Sequence, residues 1–252
     1  MGHVRVPRLP RGGKWDQVVR LLGENPRDVA RVSAAIIAAS ERRLRELHDD
    51  PSLSYSFWLL SHLAAASHGS SFELAVQATG MDVIGGEPLL SFLSAVGDRV
   101  REETGAADSG HFREMAIQAL RRTLIDAVGT QGPGLFDSRI DELREGFRLH
   151  AGADQFGRLA ERFFGEFTAR VLANAVEREL SQQVGADRKL QTTEASAEVA
   201  ARVQQYGRRS GAIVREFARD WYALRNWQLR QSITRDDAQR FVGVALGSYL
   251  RN

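Results

Sequence analysis

The stretch that decides the fold is DQFGRLAERFFGEFTARVLANAVERELSQQV, residues 154–184. Its apolar residues recur every three to four positions without an intervening proline, which predicts a helix about 46 Å long. The apolar face of its second half is rotated by roughly 100° or more from that of the first half, which predicts two packing neighbours or a kink near Thr168. The two sets are Phe156, Leu159, Phe163, Phe167 and Val171, then Leu172, Val176, Leu180 and Val184.

The same helical periodicity recurs outward from this stretch in both directions, and sustained alternation of β-branched residues is absent. Thr234-Arg-Asp-Asp237 resembles a capping box that starts the last helix. Other helices are predicted at residues 15–22, 26–48, 52–67, 71–79, 87–104 and 108–128, in about 14 residues after Asp137, and through 194–226. The fold class is therefore predicted to be all-α, a multi-helix bundle of roughly nine helices.

The glycine-rich loop at residues 129–134 marks a domain boundary in the predicted organisation. Residues 1–14 carry four basic residues and two prolines and read as a basic flexible tail. Residues 15–129 would form an N-terminal helical subdomain and residues 135–252 a C-terminal one. A chain of 252 residues is also compatible with a single domain.

Composition excludes several classes of function. The chain has no cysteine, so disulfides, thiol nucleophiles and cysteine-ligated metals are excluded, and we expect neither a metal nor a cofactor. Its apolar runs fall short of the roughly 20 residues that span a bilayer, so we expect a soluble, cytoplasmic protein without a membrane partner.

Of 34 basic residues only Lys14 and Lys189 are lysine. This arginine excess is typical of a GC-rich bacterial genome or of selection for phosphate and carboxylate contacts.

Signatures of phosphate-binding loops, serine hydrolases and zinc peptidases are absent from the sequence. One pattern, an arginine followed by a histidine after four to six residues, resembles the motif of the HEPN ribonucleases, helical proteins that cleave RNA as dimers. It occurs as Arg43 with His48 and as Arg144 with His150. The resemblance implies that arginine would stabilise phosphate charge while histidine transfers protons. A sequence this rich in arginine produces about two such spacings by chance.

The most informative surface is predicted within residues 194–226. With Arg208 set to zero and 100° per residue, a set of arginines lies on one side of the helix and most large apolar residues lie opposite. The predicted outward set is Arg208, Arg215, Arg219, Tyr222 and Asn226, and the apolar set is Val199, Val203, Tyr206, Ile213, Val214, Phe217, Trp221 and Leu224. Gly207, Gly211 and Ala218 form a small-residue strip that either admits a close neighbouring helix or marks a break into two helices.

Trp227 and Arg230 extend this arginine and aromatic surface beyond the predicted helix. Such residues suit protein hot spots as well as stacking on nucleic acid, whereas Glu216 and Asp220 dilute the positive field. The binding set is thus Arg208, Arg215, Arg219, Tyr222, Trp227 and Arg230.

The sequence favours a non-enzymatic helical subunit or adaptor of a bacterial multiprotein complex, with a protein partner or a second copy and with auxiliary nucleic-acid contacts. The alternative is a HEPN-like, metal-independent RNase or another defence or toxin component.

Overall fold

The computed structural model describes residues 50–69, 72–81, 89–105, 111–128, 140–180, 207–225 and 232–249, with isolated positions at 17–18, 20–21, 31–32, 34–35, 38–39, 47, 201 and 204–205. Its helices, in chain order, are α1 (Pro51–Ala66), α2 (Phe72–Ala78), α3 (Leu89–Thr104), α4 (His111–Val128), α5 (Ile140–Arg148), α6 (Ala153–Leu180), α7 (Ala212–Ala223) and α8 (Arg235–Tyr249). No strand occurs among these residues, so the all-α prediction is confirmed. The described part contains eight helices rather than roughly nine.

Helix α1 lies at the centre of the bundle, and it is largely apolar and buried on nearly every side. A helix that is hydrophobic all round can be stable only when other elements cover it. It packs against α2, α3, α4, α5, α6 and α8. Its start is fixed locally, since Pro51 occupies the first turn and the Asp50 carboxylate accepts a 2.8 Å hydrogen bond from the backbone N–H of Leu53.

An aromatic cluster joins α1 to the helices of the second half of the chain. The ring of Phe57 lies 4.7 Å from that of Phe241 and 5.4 Å from that of Trp221, between ring centroids. It also packs against the rings of Phe156, Phe163 and Phe164 on α6. Burying these large side chains together supplies much of the hydrophobic stabilisation of the bundle.

Helix α6 is continuous from Ala153 to Leu180, and it has two extensive packing neighbours, α7 and α4. The rotation of its apolar face therefore corresponds to contact with two helices, the first of the two predicted explanations. Phe156, Phe163 and Leu172 are all fully buried. The described residues bear out the long helix that the quoted stretch predicts.

Helix α8 begins with the predicted capping box. The Thr234 hydroxyl accepts a 3.2 Å hydrogen bond from the backbone N–H of Asp237, and the Asp237 carboxylate accepts from the backbone N–H and the hydroxyl of Thr234. This reciprocal pairing satisfies donors that the first turn of a helix leaves free. The loop before α8 is also held to the core, because the indole N–H of Trp58 donates to the carbonyl of Ile233 at 3.0 Å.

Several sequence predictions fall outside the described residues. They are the basic tail at residues 1–14, the loop at 129–134 and most of the helices predicted at 15–22 and 26–48. The division into two subdomains thus stays a prediction, although buried residues from both sides of that loop share one core. Of the helices that are described, none is both long and apolar enough to cross a membrane.

Candidate functional site

The candidate surface is built on the crossing of α6 and α7, the most extensive helix pair of the described bundle. Gly157 and Gly165 of α6 face the backbone of residues 208–215. A Cβ atom on Gly165 would lie 2.6 Å from the carbonyl oxygen of Arg208, and one on Gly157 would lie 2.8 Å from that of Arg215. Only residues without a side chain allow two helix backbones to approach so closely.

The contact is reciprocal, because the small residues of the second helix face α6. A Cβ atom on Gly211 would collide with the carbonyl oxygen of Glu161, and one on Gly207 with the backbone of Ala169. Gly211 keeps a right-handed helical conformation, with φ −55° and ψ −26°, between the helical residues 207–210 and α7. The small-residue strip of the sequence therefore admits a close neighbouring helix. Gly211 is also a turn between the helical residues 207–210 and α7, so both predicted features are present.

This crossing turns α7 by about 100° from the orientation that its large apolar residues predict. The buried face consists of Gly207, Gly211, Val214, Ala218 and Tyr222. Phe217 is 49% exposed and Leu224 is 43% exposed, although both were predicted to face the core. The signal that identifies the true face was present in the sequence, since glycine and alanine recur at its helical spacing.

Tyr222 was predicted on the outward side, and that placement is wrong. Its side chain is fully buried, and its ring stacks on that of Phe156 with 4.0 Å between centroids. Burial raises the pKa of the Tyr222 phenol, since the ionised form would lose its hydration. The rotation of α7 toward its small-residue strip carries Tyr222 into the core and removes it from any contact surface.

Of the three described arginines of the predicted site, Arg208 and Arg215 are exposed and Arg219 is partly buried, and each has a carboxylate neighbour. Arg208 donates from Nε to Glu166 at 2.7 Å, and Arg219 donates from Nε to Asp220 at 2.8 Å. Arg215 is more loosely placed, with its guanidinium 3.9 Å from the carboxylate of Glu161. The surface of α7 is thus of mixed charge rather than strongly positive. Trp227 and Arg230 lie outside the described residues, as does Asn226.

For the alternative catalytic set, the structure describes Arg144 and His150, whereas Arg43 and His48 lie outside the described residues. His150 follows α5, and its Nε2 donates a 3.2 Å hydrogen bond to the carbonyl of Ala127. Burial lowers the pKa of His150, which keeps the ring neutral. Its Nδ1 is also buried. Neither ring nitrogen of His150 is thus presented to a substrate, and RNA cleavage stays a prediction.

His68 forms a second contact of the same kind, because its Nε2 donates to the carbonyl of Ala151 at 3.2 Å. The two histidines link the end of α1, the end of α4 and the turn between α5 and α6. Across the described ranges, no three acidic or histidine side chains converge as a metal site would require.

No family model matches the chain, and no curated protein or solved structure shows significant similarity to it.

Proposed function

We propose that the protein is a helical subunit or adaptor of a bacterial cytoplasmic assembly and that it works by contact with another protein rather than by catalysis. The observation that carries this proposal is the exposure of Phe217 on α7 and of Leu224, which caps the end of α7. The two residues are seven positions apart, so they lie two turns apart on one side of the helix.

An exposed phenylalanine on a helix that is otherwise well packed is a feature of protein contact surfaces. Aromatic residues and arginine are enriched at such interfaces, where a few buried anchors supply most of the binding free energy. Phe217 would be such an anchor, with Leu224 on the same side of the helix and the exposed acids Glu216 and Asp220 beside them. A single exposed residue would be ordinary, but these two lie on one side of the helix at a spacing of two turns.

Auxiliary nucleic-acid contact is the weaker part of the proposal. Phosphate binding depends on arginine charges that the protein itself leaves unneutralised. Arg208 and Arg219 each donate to a carboxylate, so their charges are partly compensated. Among the described arginines, contact with nucleic acid would therefore depend mainly on Arg215, whose guanidinium lies 3.9 Å from the carboxylate of Glu161.

The protein contact is tested by purifying the full chain from its native cells as the wild type and as the Phe217→Glu/Leu224→Glu variant. The matched control is Leu74→Glu/Val244→Glu, because Leu74 is 64% and Val244 is 52% exposed on α2 and α8. We expect a protein, or a second copy of this chain, to associate in a fixed ratio with the wild type and the control but not with the α7 variant. Equal complexes in all three samples would refute the assignment, provided that circular dichroism shows equal helicity.

The nucleic-acid contact is tested separately with labelled single-stranded RNA and the variant Arg215→Glu/Arg219→Glu/Arg230→Glu. We expect salt-sensitive retention by the wild type and loss of retention by the variant. Identical binding by both proteins, or none by the wild type, would remove nucleic acid from the proposal while leaving the protein contact unaffected.

A further inference from the structure

A groove runs along α4 where this helix lies between α3 and α6. It consists of two adjoining hollows of about 340 and 400 Å³, which share Gln118 and Arg170 in their walls. Its described lining extends along α4 from Glu114 to Ile125, which corresponds to about 16 Å of helix. That length accommodates about ten residues of a bound helix or five of an extended strand.

The hollow next to α3 combines aliphatic and basic side chains. Leu90, which is 44% exposed, and Ile125 provide its apolar surface, and Arg121, Arg122 and Arg170 provide its charge. No carboxylate lines this hollow. The hollow therefore has a net positive lining beside exposed aliphatic groups.

Arg121 is held in place by neutral groups. Its Nε donates to the carbonyl of Leu93 at 2.9 Å, and its guanidinium fills the space that a side chain on Gly97 would occupy. A carbonyl oxygen fixes the guanidinium but does not neutralise it. The nearby acid Glu114 is engaged by Arg101, which donates to it twice, at 2.8 and 3.0 Å. Arg121 thus retains a positive charge that is fixed in position at the groove.

Arg170 also has little compensation for its charge. Its guanidinium lies 3.8 Å from Glu166, whose other carboxylate oxygen accepts the shorter 2.7 Å bond from Arg208. The Nε of Arg170 has no hydrogen-bond partner among the described residues. Arg122, by contrast, pairs with Asp126 at 3.1 Å. The unmatched charges of the groove are therefore those of Arg121 and Arg170.

We propose that this groove binds an acidic peptide segment of a partner protein, with carboxylates on Arg121 and Arg170 and aliphatic side chains on Leu90 and Ile125. Arginine pairs with carboxylates in a bidentate geometry, and aliphatic contact beside it is typical of a peptide in a helical groove. The amide of Gln118, which lines both hollows, and that of Gln204 in the second hollow suit the backbone of a peptide. This surface does not include Phe217 or Leu224, so it goes beyond the contact proposed above.

Two features favour a peptide over nucleic acid in this groove. No aromatic residue lines either hollow, so bases would find no stacking platform there. A phosphate backbone is charged at every nucleotide and would meet the exposed Glu177 in the second hollow, whereas an acidic peptide can place its carboxylates in the hollow next to α3, which has none.

The test is a selection of peptides of about 12 residues from a random displayed library, with the full chain as the target. Enriched peptides are then synthesised, and their affinity is measured by fluorescence anisotropy. We expect them to carry aspartate or glutamate among leucine or isoleucine, and we expect Arg121→Glu/Arg170→Glu to weaken their binding by about tenfold or more. Leu90→Glu should also weaken binding, and since Leu90 is exposed that variant retains the fold.

The matched control is Arg148→Glu/Arg158→Glu, which changes the net charge equally at two exposed arginines outside the groove. It should bind the selected peptides as the wild type does. The proposal is overturned if no acidic peptides are enriched, or if the control weakens binding as much as the groove variant. It is also overturned if the Arg121 and Arg170 variant loses only a labelled single-stranded RNA and keeps the peptides.

Discussion

At the scale of single residues, Tyr222 is a polar aromatic side chain that the fold buries as if it were apolar. Its hydroxyl is buried and has no hydrogen-bond partner among the described residues, while its ring stacks on Phe156. A buried hydroxyl that lacks a partner lowers stability, whereas the ring contributes to it. Tyr222 therefore contributes to the protein as a core aromatic residue.

We expect Tyr222→Phe to leave the free energy of unfolding unchanged or to raise it by about 1 kcal/mol, because it removes only the unpartnered hydroxyl. Tyr222→Ala should lower that free energy by about 3 kcal/mol or more, because the ring and its stacking are lost. Urea denaturation measures both. A marked loss of stability in Tyr222→Phe would mean that the hydroxyl has a partner outside the described residues.

His62 and His150 give a pH dependence of stability with a defined sign. Burial lowers the pKa of both rings below the ordinary value of 6.5, so the unfolded chain takes up protons more readily than the folded chain. The stability that these neutral rings contribute is complete above about pH 6.5 and is lost as the pH falls through their folded pKa.

We therefore expect the free energy of unfolding to fall between about pH 7.5 and 5.5, a range above the ordinary pKa of aspartate and glutamate. His62→Phe should reduce that fall, because a phenyl ring keeps the stack on Trp58 but cannot take up a proton. The measurement is urea denaturation at both pH values. The same fall in the wild type and the variant would show that His62 does not contribute to it.

At the scale of elements, the crossing of α6 and α7 depends on residues that are poor helix formers. Glycine in a helix interior costs about 1 kcal/mol relative to alanine, so helix propensity alone would favour replacing Gly165 and Gly211. The backbones of the two helices occupy the space that a methyl group would need at both positions. For alanine at either position, helix propensity thus predicts a gain in stability, whereas packing predicts a loss.

We expect Gly165→Ala and Gly211→Ala each to lower the free energy of unfolding by about 1–3 kcal/mol, since the neighbouring atoms are backbone and cannot move aside cheaply. Gly247→Ala on α8 is the control, because a methyl group there meets nothing within 4 Å. It should be neutral or stabilising by up to about 1 kcal/mol. Thermal denaturation followed by circular dichroism measures the three variants, and stabilisation of all three would contradict the close crossing.

At the scale of the whole molecule, Phe57 connects the central helix to three other helices. Its ring contacts aromatic rings on α6, α7 and α8 at once. Because these helices come from distant parts of the chain, the contact is made only when the bundle as a whole is assembled. Phe57 is therefore a sensitive probe of global folding.

We expect Phe57→Ala to lower the free energy of unfolding by about 3–5 kcal/mol, because it leaves a cavity among rings that cannot close it. Leu74→Ala, at an exposed position of α2, should change it by less than about 0.5 kcal/mol. Guanidinium denaturation monitored by tryptophan fluorescence measures both. An effect confined to a local change in fluorescence would argue against a single cooperative core.

The sequence by itself determined the helical class, the long helix α6, the start of α8 at Thr234 and Asp237, and the small-residue strip of Gly207, Gly211 and Ala218. These features depend on residues within about four positions of one another, because helix hydrogen bonds and caps are local. Only the tertiary structure decided which strip of α7 is buried, and with it the burial of Tyr222, the exposure of Phe217 and the groove along α4. That choice depends on how closely two backbones approach, which is set by residues far apart in the chain and by the sum of contacts across the core.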